Sequence, residues 1–255
     1  MHTRASLKTD LKAMGIGSGD TLFVHSSMKS IGKVENGADT VLDALSEGVE
    51  QGLLLLPAHT WSYINAENPL FDVRTSPVCV GILPELFRVR EGVVRSLHPT
   101  HSVAALGADG ADYVKGEELF NTPCAPASLY GRLVQRDAKI LLIGVDFAVN
   151  TSVHCIEEVA GVPGRLSKGQ EELVSVDYEG AAHRVPSFRH ENANSYYYRK
   201  LEPVFLKRGK IKRTHFGDAS CLLFSAQDLF SVTLELLSKD ILLFGNDAPV
   251  PKDWY

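Results

Sequence analysis

Cysteine is scarce in this chain. There are four, at positions 79, 124, 155 and 221, and no two stand at C-x-x-C or another metal-ligand spacing. That excludes a disulfide-stapled scaffold and gives no sequence pattern for a metal centre, so no metal cofactor is expected. Long apolar runs are also missing: none approaches the ~20 residues that cross a bilayer. Residues Met1–Leu7 carry no apolar signal-peptide region. These absences lead to the expectation of a cytoplasmic protein with no membrane partner. Basic charge is in deficit, with 26 Lys and Arg against 31 Asp and Glu and a net charge of −5. Nucleic acid is not an expected partner, because neutralising phosphates requires a basic surface. The longest basic cluster, Lys207–Arg213, reads as a solvated loop, with a small anion site as the alternative. No G-x-S-x-G elbow, G-x-x-x-x-G-K-[ST] loop or H-E-x-x-H pair occurs. Gly15, Gly17 and Gly19 precede a strand, whereas a dinucleotide fingerprint follows one, so they read as a turn.

What is present is ordinary globular composition, 44% hydrophobic over 255 residues. Such a chain buries a large core without staples. No repeat, low-complexity stretch or linker interrupts it, which predicts a single domain over residues 1–255. Leu7, Leu11 and Met14 share one helical face, and Val41, Leu42, Leu45 and Val49 share another between Ala38 and Gln51. Thr21–His25, Leu53–Pro57 and Lys139–Val145 are apolar runs of strand length, as in strands buried on both faces. A helix is expected to start near Thr151, and another to run from Ser225 to Lys239. Val174, Val176 and Tyr178 alternate with polar residues before Glu179-Gly180, which predicts a hairpin returning through Arg184-Val185. The expected fold is α/β: a layered domain with a central mixed, largely parallel sheet, flanking helices and a small antiparallel hairpin insertion.

Three segments can carry chemistry. Hydroxyls and backbone N–H groups of His25–Gly32 follow a buried strand, where they suit either phosphate binding or a plain capping turn. His98 and His101 flank Pro99 in a polar loop; no carboxylate or cysteine lies nearby in sequence, so a hydrogen-bonding loop at a cleft edge is favoured over zinc. In the third segment Asn150-Thr151-Ser152 can cap a helix that places His154 and Glu157 at i and i+3, with Glu158 at i+4 as competing partner. A carboxylate on an imidazole fixes its tautomer and stabilises the imidazolium, while a helix N-terminus favours the neutral ring. The spacing alone favours a solvated surface pair. Cys155, beside His154, reads as a buried structural cysteine.

Taken in order, five blocks resemble the aminoglycoside 3-N-acetyltransferase family, whose antibiotic N-acetyltransferase fold differs from the common N-acetyltransferase fold. They are Leu22–Gly32, Leu53–Trp61, Gly81–Arg88, His98–Gly107, and Leu141–Val145 followed by Asn150–His154. The resemblance covers about Ser6 to Leu237. It implies that a histidine assisted by a glutamate deprotonates an acceptor amine, which attacks acetyl-CoA directly. The base position falls on His154 and its partner on Glu157. Coenzyme A contacts fall on Ser26, Ser27, Met28, Lys29, Ser76, His101, Ser102 and Val103; Val78 stands where relatives often carry serine. His59, Trp61 and Glu158 are candidates for the acceptor side. Residues 186–200 are mixed and aromatic, and Arg189, Arg199 and Lys200 do not suit a polycation. The expected function is N-acetylation of an aminoglycoside or related amino sugar. Alternatives are an anionic acceptor such as a nucleotide-linked amino sugar, an inactive coenzyme A binding protein, and hydrolase chemistry through Ser152 or Cys155. The oligomeric state is left open, a homodimer included.

Overall fold

A computed structural model describes residues 1–192 and 194–255. Its centre is three parallel strands, β1 (Thr21–Ser26) flanked by β2 (Leu53–Pro57) and β6 (Lys139–Ile143). Alternate residues of these strands point to opposite faces, and both faces are covered. Phe23, Leu53, Leu55, Ile140 and Leu142 join one core, and Leu22, Val24, Leu54, Leu56, Leu141 and Ile143 join the other. Burial on both sides is why these runs are apolar throughout rather than alternating.

The second core is roofed by α1 (Arg4–Met14), α2 (Ala38–Gly48) and α3 (Ile82–Phe87). The first is roofed by α4 (Gly110–Val114), α5 (Leu129–Gln135), α6 (Ser152–Ala160), α7 (Leu201–Lys207) and α8 (Ala226–Lys239). Helix α1 begins in a capping box at Thr3 and ends on Gly15, whose φ of 85° suits glycine. Helix α2 stops at Gly48, short of the expected Gln51, and a turn carries the chain to Gly52 and into β2.

The expectation of a mixed sheet with a parallel centre holds. The parallel part ends at those three strands. Around them β4 (Val94–Arg95), β5 (Val103–Gly107), β9 (Lys212–Phe216) and β10 (Ala219–Ser225) pair antiparallel, giving the order β4-β5-β2-β1-β6-β10-β9. The predicted hairpin is β7 (Glu171–Val176) and β8 (Ala182–Ser187), and it recruits β3 (Leu70–Asp72) as a parallel third strand. This small sheet has its own core of Ile64, Phe71, Val73 and Leu173. No helix of the described residues is long and apolar enough to cross a membrane.

The chain leaves β1 for α2 on one face, whereas the segment after β6 leads into α6 on the other. A crevice opens at the carboxyl ends of strands where connections diverge in this way. Its floor is tight: Ser27 N–H donates to Ile143 O, and Ser30 Oγ donates to Gly144 O at 3.3 Å. Gly144 has φ of 63°, and a Cβ there would sit 2.2 Å from Ser30 Cβ. Only glycine allows that approach.

Candidate active site

Helix α6 starts where the sequence suggested, with Asn150 Oδ1 accepting from Ser152 N–H at 3.2 Å. His154 lies in its first turn. Glu157 is one turn on and fully buried. Between them stands Tyr198, from the short helix Ser195–Lys200, with its hydroxyl 2.6 Å from His154 Nδ1 and 2.5 Å from Glu157 Oε2. A phenol has one proton and a carboxylate only accepts. Tyr198 O–H therefore donates to Glu157, and His154 Nδ1–H donates to the Tyr198 oxygen. Glu157 Oε2 lies farther from Nδ1, at 3.3 Å, and Glu157 Oε1 accepts from buried Arg165. Burial holds the Tyr198 phenol well above its ordinary pKa, with the Glu157 carboxylate adding to the effect, so it stays neutral in this relay. With Nδ1 committed, Nε2 is the nitrogen of His154 left for a ligand.

His154 opens on a cleft of about 170 Å³ lined by Trp61, Thr100, His101, Pro123, Arg189, His190 and Ser195. The rings of His154 and His190 are 4.5 Å apart, those of His190 and His101 5.4 Å, and those of His101 and His59 4.8 Å. Beyond His59 lies a second cavity, of about 200 Å³, reached by His25, Ser26, Pro57, Val145, Val149 and Thr151. Six of the nine histidines thus gather here, counting His98 beneath His101. Burial depresses five of them: His25 and His98 fall to about 3, and His59, His101 and His190 lie well below the ordinary value. These five are neutral at physiological pH.

A sequence model of the aminoglycoside 3-N-acetyltransferase family matches residues 23–238. The chain belongs to that family. Among its relatives, an aminoglycoside N(3)-acetyltransferase VII from Streptomyces paromomycinus is 32% identical, over 89% of this chain and 88% of its own length. An aminoglycoside N(3)-acetyltransferase IV from Salmonella is 31% identical, over 94% and 89% of the two chains. The solved structure of the acetyltransferase AAC-IIIb with CoASH superposes at a TM-score of 0.82 with 26% identity, over 97% of this chain and 99% of that one. This aminoglycoside 3-N-acetyltransferase family member is accordingly an acyltransferase that uses acetyl-CoA.

The structure brings some of the sequence candidates together and separates others. His154, His101 and Trp61 line the cleft; His59 and Ser26 line the second cavity. His59 Nε2 is 2.8 Å from the Tyr130 hydroxyl. His25 Nε2 and Ser26 Oγ are buried without a hydrogen-bond partner among the described residues, which suits a polar ligand in that cavity. Ser27 Oγ lies 3.0 Å from Ser30 Oγ, and Met28 packs on the core beside α2. Lys29 is exposed and forms no ion pair among the described residues.

Four other candidates have their side chains engaged elsewhere in the fold. Ser76 Oγ accepts from Asp72 N–H at 2.8 Å and closes a turn. Ser102 is fully buried, donates to Ala58 O at 2.6 Å and accepts from Arg95 Nε at 3.0 Å. Val103 is a fully buried strand residue. None of the three faces the cleft or the second cavity. Glu158 does not face an acceptor either: its Oε1 accepts from Cys124 N–H at 2.9 Å and from His190 Nε2 at 2.7 Å, with the side chain 4% exposed. His98 Nδ1 accepts from Thr100 and His101 N–H groups, so it does not pair with His101 as a ligand.

Of the basic residues in 186–200, only Arg189 lines the cleft, held by Trp61 O and Ile64 O. Arg199 pairs with Asp146, and Lys200 Nζ donates to Leu243 O. Ala193 in that segment lies outside the described residues. The basic cluster is spent locally: Arg208 on Glu235, Lys210 on Asp228 and Arg213 on Glu202. Cys155 is fully buried, as expected.

Tyr198, Arg165 and His190 were not singled out from sequence. Tyr198 stands 44 positions from His154, and no spacing rule links them; the Tyr196-Tyr197-Tyr198 run was the only signal. A cavity of about 630 Å³ was also unforeseen. It lies between the end of β6 and strands β9–β10, is lined by Ser30, Asp146, Glu202 and Arg213, and contains no histidine.

Proposed function

We propose that His154 is the general base for direct transfer of an acetyl group from acetyl-CoA to the amine of an amino sugar. We further propose that residues 1–255 work as a single domain. The carrying observation is the relay from His154 Nδ1 through Tyr198 to Glu157, which leaves Nε2 free at the cleft. Nε2 takes the proton of the attacking amine as the new C–N bond forms. The Tyr198–Glu157 pair stabilises the resulting imidazolium. The C–S bond breaks, and the proton on Nε2 passes to the departing sulfur. No enzyme nucleophile is required, and burial pushes the nearby Cys124 and Cys155 thiols up, so without a metal neither is a ready nucleophile.

Binding of the donor falls to the second cavity, where His25 and Ser26 present unpartnered polar atoms and Thr151 marks the start of α6. Lys29, exposed at the rim of the same loop, suits a phosphate. The His154→Ala variant is expected to lose about 10²–10⁴-fold in turnover. Coenzyme A binding by calorimetry should stay within twofold of wild type, by our estimate. Full turnover in that variant would sink the assignment.

A specific observation favours a second reading of the acceptor. The cleft lining contains no carboxylate among the described residues and one cation, Arg189. A polycationic antibiotic gains nothing from that field, whereas an amino sugar bearing a phosphate or carboxylate does. Turnover on aminoglycosides and on nucleotide-linked amino sugars, measured side by side, separates the two. A higher kcat/KM for the aminoglycosides would rule the anionic acceptor out.

A further inference from the structure

We infer that His101, Cys124 and His190 form a binding site for one soft divalent cation, of the zinc or cadmium class, and that filling it stops acetyl transfer. The ligand atoms of the three residues lie within 4.8 Å of one another. Ligands of a tetrahedral zinc with two nitrogens and a sulfur stand about 3.4–3.6 Å apart. Side-chain movements of about 1 Å therefore close the set.

The individual atoms point the same way. His190 Nδ1 is buried and has no partner among the described residues. Its other nitrogen, Nε2, is held by Glu158 at 2.7 Å, the carboxylate–histidine arrangement that orients a metal ligand. The same Glu158 oxygen accepts from Cys124 N–H at 2.9 Å, so one carboxylate positions two of the three ligands. Among the described residues Cys124 Sγ has one hydrogen-bond contact, at 4.0 Å to Thr151 O. His101 Nδ1 lies 3.0 Å from Thr100 Oγ1, which leaves its Nε2. His101 and His190 line the cleft, giving an entry path and a fourth position for water. Binding forms one metal–sulfur bond and releases the Cys124 thiol proton to solvent, with no change of oxidation state. Soft thiolate and imidazole ligands select such cations over magnesium or calcium.

The inhibitory half of the inference rests on His154 being the base. A cation on His190, whose ring is 4.5 Å from that of His154, opposes imidazolium formation and fills the acceptor cleft. The test uses the full chain, stripped of metal. Cobalt or cadmium titrated into it should give a thiolate charge-transfer band saturating at one equivalent. Zinc should abolish turnover in step with occupancy. In Cys124→Ser, turnover without metal is retained, the band is lost, and at least about tenfold more zinc is needed. Glu158→Gln should weaken zinc about 10–100-fold. Cobalt binding without the band overturns the site, and this reading on the wild-type chain suffices if Cys124→Ser does not fold. Unchanged zinc sensitivity in a folded Cys124→Ser does so equally. The band needs no substrate, so a chain that binds metal as described yet fails to acetylate would refute the proposed function and spare the site.

Discussion

Three side chains make His154 a different group from an exposed helical histidine. Tyr198 fixes which nitrogen carries the proton, Glu157 supplies the negative charge, and Arg165 keeps that charge paired in a fully buried position. Tyr198→Phe removes one hydrogen-bonded link, worth about 1 kcal/mol net. It should lower kcat by roughly fivefold and shift the acid limb of the kcat–pH profile, with KM for acetyl-CoA unchanged. A purely structural role for Tyr198 would leave that limb in place. Glu157→Gln is harsher, because it strands the Arg165 guanidinium in the core; chemical denaturation should report a loss of about 3 kcal/mol or more. The pair at positions 154 and 157 was legible from helical spacing and family resemblance together. Its third member was not, because Tyr198 reaches it by tertiary packing from a separate short helix. For Ser102 and Val103 the sequence marked the loop but not the side-chain directions, which turn toward Arg95 and the sheet core.

At the scale of elements, the turns after β1 and β6 set the geometry. Gly144→Ala introduces a left-handed alanine and drives its Cβ into Ser30. A cost of about 1–3 kcal/mol is expected from the backbone alone, and the clash adds to it. Because Ser26 to Ser30 move with that contact, KM for acetyl-CoA should rise more than kcat falls in steady-state assays. The opposite split would detach this turn from donor binding. The strands themselves were readable because each is apolar on both faces, and the two cores use alternate residues of the same runs. The antiparallel outer strands were harder. β9 is short and largely exposed, and β4 has only two residues, so neither imposes a periodic signal. The hairpin was visible from its alternation, but its pairing with Leu70–Asp72 joins segments about a hundred residues apart and leaves no local trace.

For the whole molecule, the packed histidines govern behaviour in acid. His25 and His98 titrate at about 3 when folded, against 6.5 for the unperturbed ring, and His59, His101 and His190 are depressed as well. Below pH 6.5 the unfolded chain binds protons that the native chain refuses, so stability is present above that value and lost as pH falls toward 3. Each such group contributes up to about 1.4 kcal/mol per pH unit across its window. Equilibrium denaturation from pH 7 to 4.5 should show a slope of more than one proton, and His98→Asn should flatten it. A pH-independent midpoint over that range would contradict the buried, neutral histidines.

The small three-stranded sheet has a separate consequence. Arg189 and His190 follow β8 directly, and Arg189 clamps the backbone of Trp61 and Ile64 ahead of β3. The cleft wall formed by Arg189 and His190 is thus carried beside a satellite with its own apolar centre, while the proposed base and the proposed donor loops ride on the main sheet. Among the bonds that hold the satellite are Ser175 Oγ to Leu97 O, Arg95 N–H to the Tyr178 hydroxyl, Phe188 N–H to Asn121 O and His190 Nε2 to Glu158. The segment that shapes the cleft wall and the helix that carries the proposed base thus belong to different sheets and meet at His190. Transplanting residues 168–190 between homologous enzymes, with His190 and these contacts kept, is expected to change acceptor preference more than turnover on a shared acceptor.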